Sequence, residues 1–334
     1  MKDKDALVSV VIPTYNVENY IGHCVSSLLR QTYRNIEVII VSDGSTDRSV
    51  EICREMQKTD GRIRIIEKEN GGVSSARNMG IRCAAGDYLM LVDSDDWVEQ
   101  NTIETMLQAI QDNQTDACFS NCYYRNERNV ITAMHCKEEP KVAAHELIKK
   151  HLKYQFLAST CLTLVRLTKV KQCMFDESIH TLEDWEYNFR MLNCIDSGTI
   201  INEPLYHYRE VPGSASQSKL NERKLTCFLI PERVERYIKE NDLPYEKSVG
   251  YIWIFLLNHM LVLLANNEYV PTEAKKLKKI AQKKLVYAWT AENIPLKQRI
   301  YTLMCAISPR VFCWVYHLKY LRLSLIHISE PTRL

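Results

Sequence analysis

Residues 88–97, Tyr-Leu-Met-Leu-Val-Asp-Ser-Asp-Asp-Trp, pass from five apolar side chains to three carboxylates within four positions. An unbroken apolar run of this length, bounded by Gly86-Asp87 and the acids, reads as a strand buried on both faces. Ligands of open α/β sheets gather at the carboxyl ends of such strands. Carboxylates crowded there repel one another unless a cation lies between them, and hard oxygen donors suit Mg²⁺ or Mn²⁺. Taken alone, the stretch is equally an acidic turn in which Asp96 caps the next helix.

The preceding residues repeat the pattern. Leu7–Ile12, Ile36–Val41 and Arg62–Ile66 read as three further strands, with helical spacing over Glu18–Gln31, Ser49–Lys58 and from Gly72 through Ala84. Strands alternating with short helices imply parallel pairing through right-handed crossovers. Further on, Thr102–Gln111 reads as helix and Asp116–Tyr124 as strand, Thr160–Leu167 looks extended, and Leu182–Asn193 is helical. Short strands are expected at Thr199–Ile201 and Leu205–Arg209, and only helix signals follow Leu220.

Three strand-end loops carry polar groups: Pro13-Thr14-Tyr15-Asn16, Asp43-Gly44-Ser45-Thr46-Asp47 and Asn70-Gly71-Gly72, with Arg77 one helical turn beyond the last. Glycines in such loops let a backbone come close to a ligand. A strand-end carboxylate such as Asp43 can accept an imide N–H. Singly, each loop reads more readily as a turn than as a site.

Together they are more specific. Val10-Val-Ile-Pro-Thr-Tyr-Asn16, Val41-Ser-Asp-Gly-Ser-Thr-Asp47, Asn70-Gly-Gly-Val-Ser-Ser-Ala-Arg-Asn-Met-Gly80 and Leu91-Val-Asp-Ser-Asp-Asp96 stand in order and correctly spaced. They resemble the successive motifs of family-2 glycosyltransferases, over about residues 7–210. The resemblance implies a GT-A fold, a Rossmann-like and mainly parallel sheet flanked by helices. Asp43 and Gly44 would then hold the base of a nucleotide-sugar, and Pro13, Tyr15, Asn16 and Asn70 would line its pocket. Arg77 would meet the base or ribose, with Asp93 and Ser94 at the ribose. Asp93 and Asp95 would bind Mn²⁺ or Mg²⁺ against the diphosphate, and Asp96 would act behind them or cap the helix. Thr181-Leu-Glu183-Asp184-Trp185-Glu186 resembles the family's Glu-Asp motif, which makes Asp184 the base toward the acceptor hydroxyl and Glu183 its support. Paired acids at a helix N-terminus are also favoured by the macrodipole alone. Tyr206-His207-Tyr208-Arg209 and Gly213-Ser-Ala-Ser216 fit a later motif in which His207 or Arg209 would reach the diphosphate; an ordinary strand end fits them equally.

The expected activity is inverting transfer of a hexose or hexosamine from a UDP-sugar to a hydroxyl of a lipid-linked saccharide during cell-surface polysaccharide assembly. Rival readings are a sugar-phosphate nucleotidyltransferase and a non-catalytic carbohydrate-binding scaffold. The first would need an Arg- or Lys-bearing loop after the first strand, and the second would tolerate loss of the acids. Neither G-x-G-x-x-G nor G-x-x-x-x-G-K-[ST] occurs, which disfavours dinucleotide oxidoreductases and P-loop enzymes.

The organisation expected is a transferase domain over 1–215, a helical region over 216–322 and a foreign tail over 323–334. Leu323-Ser-Leu-Ile-His-Ile-Ser-Glu-Pro-Thr-Arg-Leu334 resembles the in-frame translation of a sequencing adapter, so the native chain is expected to diverge at or near Arg322. The net charge of +2 hides an asymmetry: Pro271–Arg322 carries eleven Lys or Arg against two Glu. Its Lys275–Lys284 cluster is read as a solvated helix face, with no nucleic-acid partner expected. Tyr251–Ala265 is about fifteen residues of apolar helix, too short for the ~20 a spanning helix needs. Arg299–Arg322 interleaves aromatic and basic residues and suits either a helix lying on the inner membrane surface or a buried cap. Twelve cysteines without a C-x-x-C pair, and no signal-type apolar segment at the start, fit a cytoplasmic protein.

Overall fold

The computed structural model describes residues 5–125, 131–133, 137–153, 159–211, 219–267, 269–291 and 294–318. Gly213–Ser216 and the 323–334 tail lie outside them. The described residues divide into two compact units: residues up to Ser178 together with Leu182 onward to 211, and Ile179–Thr181 together with 219–318.

The first unit begins with β1 (Val8–Thr14), α1 (Ile21–Leu29), β2 (Ile36–Asp43), α2 (Ser49–Thr59), β3 (Ile63–Lys68), α3 (Val73–Cys83) and β4 (Tyr88–Leu91). β5 (Trp97–Val98), α4 (Thr102–Asn113), β6 (Ala117–Arg125), β7 (Ile131–Ala133), β8 (Glu139–Ala143) and α5 (Ala144–Leu152) follow. It ends with β9 (Thr163–Arg166), α6 (Leu167–Val170), α7 (Glu183–Leu192) and β10 (Ser197–Arg209). All the strands join one sheet, whose main path runs β3-β2-β1-β4-β9-β6-β10-β5.

β3, β2, β1 and β4 are parallel and in step, with Val11 opposite both Ile39 and Leu91, Thr14 opposite Ser42, and Asp43 opposite Lys68. Every residue of β1 and β4 is buried, as their apolar runs require. Because the four strands share direction and register, the loops that follow them emerge along one edge. α3 lies close against β1, where Gly80 leaves room for Val11.

Beyond β4 the sheet departs from the mainly parallel expectation. β9 runs antiparallel to both β4 and β6, and only the β6–β10 pair resumes parallel pairing. The two strands expected near 199–209 are one thirteen-residue strand, β10, with irregular register between Ile200 and Tyr206. Asn202-Glu203-Pro204 breaks the local strand signal, and the bulge absorbs the proline that cannot donate to the ladder. Of the expected extended run Thr160–Leu167, Thr160–Leu162 forms a 3₁₀ turn and only Thr163–Arg166 is strand.

The second unit holds α8 (Glu222–Leu225), α9 (Leu229–Glu240), α10 (Glu246–Asn266), α11 (Pro271–Thr290), α12 (Leu296–Ile307) and a helical segment over 309–318. α10, at twenty-one residues, is longer than its apolar run and is long and apolar enough to cross a membrane. Most of it is buried within the unit, packed against α9, α11 and α12. Its buried Asn258 donates through Nδ2 to the Ile254 carbonyl at 2.8 Å and to Thr302 Oγ1 at 3.2 Å. Core packing accounts for its composition.

Candidate active site

The first strand-end loop is fastened to the second. Asn16, at φ +50°, accepts the Thr46 backbone N–H on Oδ1 at 2.8 Å and donates its own N–H to Ser45 Oγ at 3.3 Å. Pro13 stays within β1, opposite Val41, and Tyr15 projects with half its surface exposed (51%).

Asp43 fastens the second loop to the third. Its Oδ1 accepts from Lys68 Nζ at 2.6 Å and from the Gly71 N–H at 2.9 Å, and its Oδ2 accepts from the Gly72 N–H at 2.7 Å. The carboxylate is buried, and these three bonds leave about one of its roughly four acceptor positions for a ligand. Gly44, at φ +75°, sits so near exposed Asn70 that an added Cβ would lie 3.1 Å from the Asn70 nitrogen. Gly72, at φ +90°, turns the chain into α3. A side chain at either position would strain a backbone that L residues rarely adopt.

The three carboxylates after β4 have three different environments. Asp96 is buried; its Oδ2 accepts from Tyr206 Oη at 2.6 Å and its Oδ1 from the Arg209 N–H at 2.7 Å. It anchors the loop to β10 rather than capping a helix. Burial, then the neighbouring charges of Asp95 and Asp93, hold its carboxyl well above the usual range. Asp93 Oδ1 pairs with Arg77 Nη2 at 2.8 Å, and its Oδ2 accepts from Cys161 Sγ at 3.2 Å. Burial, followed by the Asp93 charge, pushes the Cys161 thiol well up, so it remains a donor at neutral pH. Asp95 is half-buried, and no other described residue donates to its carboxylate. Burial first and Asp93 second push its carboxyl up to about 6. Ser94, between them, is buried.

Arg209 lies at the same cluster. Its Nε donates to the Asp95 carbonyl at 2.8 Å, its Nη2 meets His23 Nδ1 at 3.1 Å, and its guanidinium lies over Trp97 and Tyr20 at 4.6 and 5.1 Å. His207 is buried in a stack, 4.8 Å from the Trp97 ring and 4.9 Å from Tyr123, with Nε2 2.6 Å from Glu99. The structure thus brings Arg209 to the carboxylates and holds His207 on Glu99.

Across from Asp93, Arg77 Nη1 donates to Glu183 Oε1 at 2.9 Å. The guanidinium, expected from the motif to meet the base or ribose, here joins two carboxylates, with its Cζ 5.2 Å from the centroid of the Phe175 ring. Asn78 holds Phe175 in place, accepting its backbone N–H at 2.7 Å and donating to its carbonyl at 3.0 Å. Leu182 adopts a left-handed φ of +60° to start α7, a conformation costing on the order of 1 kcal/mol or more for such a residue. Glu183 and Asp184 occupy the first turn that follows, where the helix dipole favours negative charge. Asp184 is half-buried, and its carboxyl is pushed up to about 6 by burial and then by Glu183, against the opposing pull of Arg77.

Two carboxylates with incomplete charge compensation, Asp93 and Asp95, fit a hard divalent cation. Among the described residues no group of three or more His, Cys, Asp or Glu is placed to hold a metal ion by itself, so donor oxygens or water would have to complete its coordination. Lys68, Cys161, Tyr206 and Glu99 belong to the supporting network although the motif reading gave none of them a role. Their contacts span 25 to 113 residues, and no local pattern encodes them.

Residues 9–167 match the model of glycosyl transferase family 2. Glycosyltransferase GlyG of Streptococcus pneumoniae is 36% identical over 227 residues, covering 64% of this chain and 74% of that protein. Glycosyltransferase GlyA of the same organism is 38% identical over 223 residues, again 64% of this chain, but the match spans only 32% of GlyA. The crystal structure of S. aureus TarS 1–349 in complex with UDP-GlcNAc superimposes with a TM-score of 0.68 over 92% of this chain and 89% of that one. At 19% identity that likeness speaks to the fold alone. With the motif loops on one edge of a GT-A sheet and relatives at this level, the chain belongs to the family-2 glycosyltransferases.

Proposed function

We propose that the chain is an inverting, metal-dependent transferase. It moves a hexose or hexosamine from a UDP-linked donor to a hydroxyl of a lipid-linked saccharide, at the cytoplasmic face of the membrane in cell-surface polysaccharide assembly. The observation that carries this reading is the Arg77 bridge, which ties the donor-side carboxylate Asp93 to Glu183, the neighbour of Asp184. A leaving-group site and a base are thereby held a side chain apart. A carboxyl poised near 6 is mostly ionised at neutral pH yet still basic enough to take a proton in the transition state.

In this reading Asp184 accepts the acceptor hydroxyl's proton as that oxygen attacks the anomeric carbon. The bond from that carbon to the diphosphate oxygen breaks on the opposite side, which inverts the configuration. Glu183, fixed by Arg77, orients the acceptor. Arg209, held against the Asp95 carbonyl, presents positive charge to the diphosphate. A divalent ion held by Asp93 and Asp95 would supply Lewis-acid stabilisation of the charge on departing UDP. The loop after β1 has no Arg or Lys before α1, which weighs against nucleotidyl transfer.

Calorimetric titration of UDP into the protein, with and without Mn²⁺ and beside Asp95→Ala, tests the site. Metal-dependent binding that disappears in Asp95→Ala is expected. Equal binding without metal and in the variant would remove the carboxylate pair from the donor site.

A further inference from the structure

Eleven large apolar side chains are exposed among the described residues, and nine of them lie between Val286 and Leu318. They fall into helical stripes. On α12, Leu296, Ile300, Leu303 and Ile307 recur at spacings of four, three and four, and are 37–67% exposed. The helix 309–318 repeats this with Val311, Trp314 and Leu318, and α11 ends with Val286 and Trp289. These helices also have a conventional buried side, formed by Thr302, Cys305 and Ala306 on α12 and by Phe312, Cys313 and Tyr316 after it. A helix apolar on both sides normally belongs inside a core or against lipid. The core side is filled here, so the outer stripe is spare. Arg299 places the α11 and α12 stripes beside each other, with its guanidinium 5.8 Å from the Trp289 ring and its Nε bonded to the Ile294 carbonyl.

Charge selects the occupant. Among the described residues from Pro271 onward there are nine Lys or Arg, and the lone acid, Glu273, is buried. Lys279 and Lys283 are exposed and precede Val286 on the same face of α11, by two turns and one turn respectively. Lys297 and Arg310 are exposed at the first turns of the two later stripes. A surface this basic repels a second copy of itself, whereas apolar stripes with tryptophan among exposed cations match the acyl–headgroup boundary of an anionic bilayer.

We infer that the exposed stripes of α11, α12 and residues 309–318 form a docking surface for an anionic lipid bilayer. The inference deepens the reading of a lipid-linked acceptor by naming the surface that would bring the enzyme to it. Flotation of the full chain with phosphatidylcholine vesicles, with and without phosphatidylglycerol, tests it, beside two double variants: Ile307→Glu with Trp314→Glu, and Lys279→Glu with Lys283→Glu. Binding to the anionic vesicles is expected, falling roughly tenfold in either pair. UDP titration and melting temperature should stay unchanged in both pairs, so failure here is distinct from failure of the donor site. No binding to anionic vesicles, equal binding to neutral ones, or binding indifferent to both pairs would overturn the inference. A concentration-dependent dimer abolished by the Ile307→Glu and Trp314→Glu pair would also overturn it and assign the stripes to a second copy.

Discussion

Arg77 holds Asp93 at 2.8 Å and Glu183 at 2.9 Å with the two ends of one guanidinium, although Glu183 lies 106 residues away in the chain. Both bonds are charge-assisted, and the fork geometry that makes them simultaneously is one an ammonium group lacks. Arg77→Met leaves two carboxylates facing each other without compensation. Breaking a buried pair in this way costs about 3–5 kcal/mol, and the lower end is expected because Asp93 is partly exposed. Thermal melts should register that loss. Arg77→Lys should fold, keep UDP affinity within a few-fold and lose turnover by roughly ten- to a hundredfold, because the point charge can satisfy only one partner at a time. Unchanged turnover in Arg77→Lys would mean that the bridge is structural only.

In the proposed mechanism Asp184 gives the reaction its pH dependence. Its ionised form takes the proton, and its carboxyl is held near 6, so turnover should fall tenfold per pH unit below that value and level off above it. Asp184→Asn should cost about 10²- to 10⁴-fold in turnover and abolish the acidic limb. Glu183→Gln removes the neighbouring negative charge that raises Asp184, so the limb should move to lower pH. A limb that survives in Asp184→Asn would assign it to another group.

The edge that carries the motif loops was legible in the sequence because its information is local. Each parallel strand is a short apolar run, and each ends in proline, glycine or a carboxylate within a few residues, so Pro13–Asn16, Asp43–Gly44 and Asp93–Asp96 could be placed before any tertiary contact was known. The other half depends on long-range pairing. β9 inserts antiparallel between β4 and β6, an arrangement with no periodic signature. Trp97–Val98 is too short to declare itself a strand, yet it pairs with Tyr206 and His207 and builds the stack that withdraws His207. For the same reason Arg77 and Glu183 were each readable within a motif, while the bond between them, 106 residues apart, was not.

Asp95 makes the fold less stable once it ionises. Its carboxyl ionises near 6 in the folded protein against an ordinary 3.8, so the folded state holds the proton more tightly than the unfolded chain does. Ionisation therefore disfavours folding. The penalty is absent below 3.8, grows between 3.8 and 6, and is complete above 6. Asp95→Asn should stabilise the protein at pH 8 in chelator by about 1–2 kcal/mol after solvent screening, and by little at pH 4. Melting curves of the two proteins at both pH values check this, and equal melting temperatures at pH 8 would show that Asp95 bears no such penalty.

Gly80 closes the motif that contains Arg77, and its role is one of distance. A Cβ at position 80 would lie 2.2 Å from Val11 Cγ1, closer than any packed pair can come, and Val11 is fully buried in β1. Gly80→Ala must therefore push α3 away from the sheet, at a cost of about 1–3 kcal/mol. Arg77 sits one turn earlier on α3, so the same displacement lengthens its bond to Asp93, and turnover should fall together with stability. Val11→Ala removes both offending methyl groups. Alone it should destabilise by about 1–2 kcal/mol through the cavity it leaves, whereas combined with Gly80→Ala the added methyl fills that space. The double variant should accordingly melt above the sum of the single losses and recover turnover toward that of the unsubstituted protein, a coupling that a double-mutant cycle reads directly. Additive losses would mean that α3 finds its position on the sheet through other contacts.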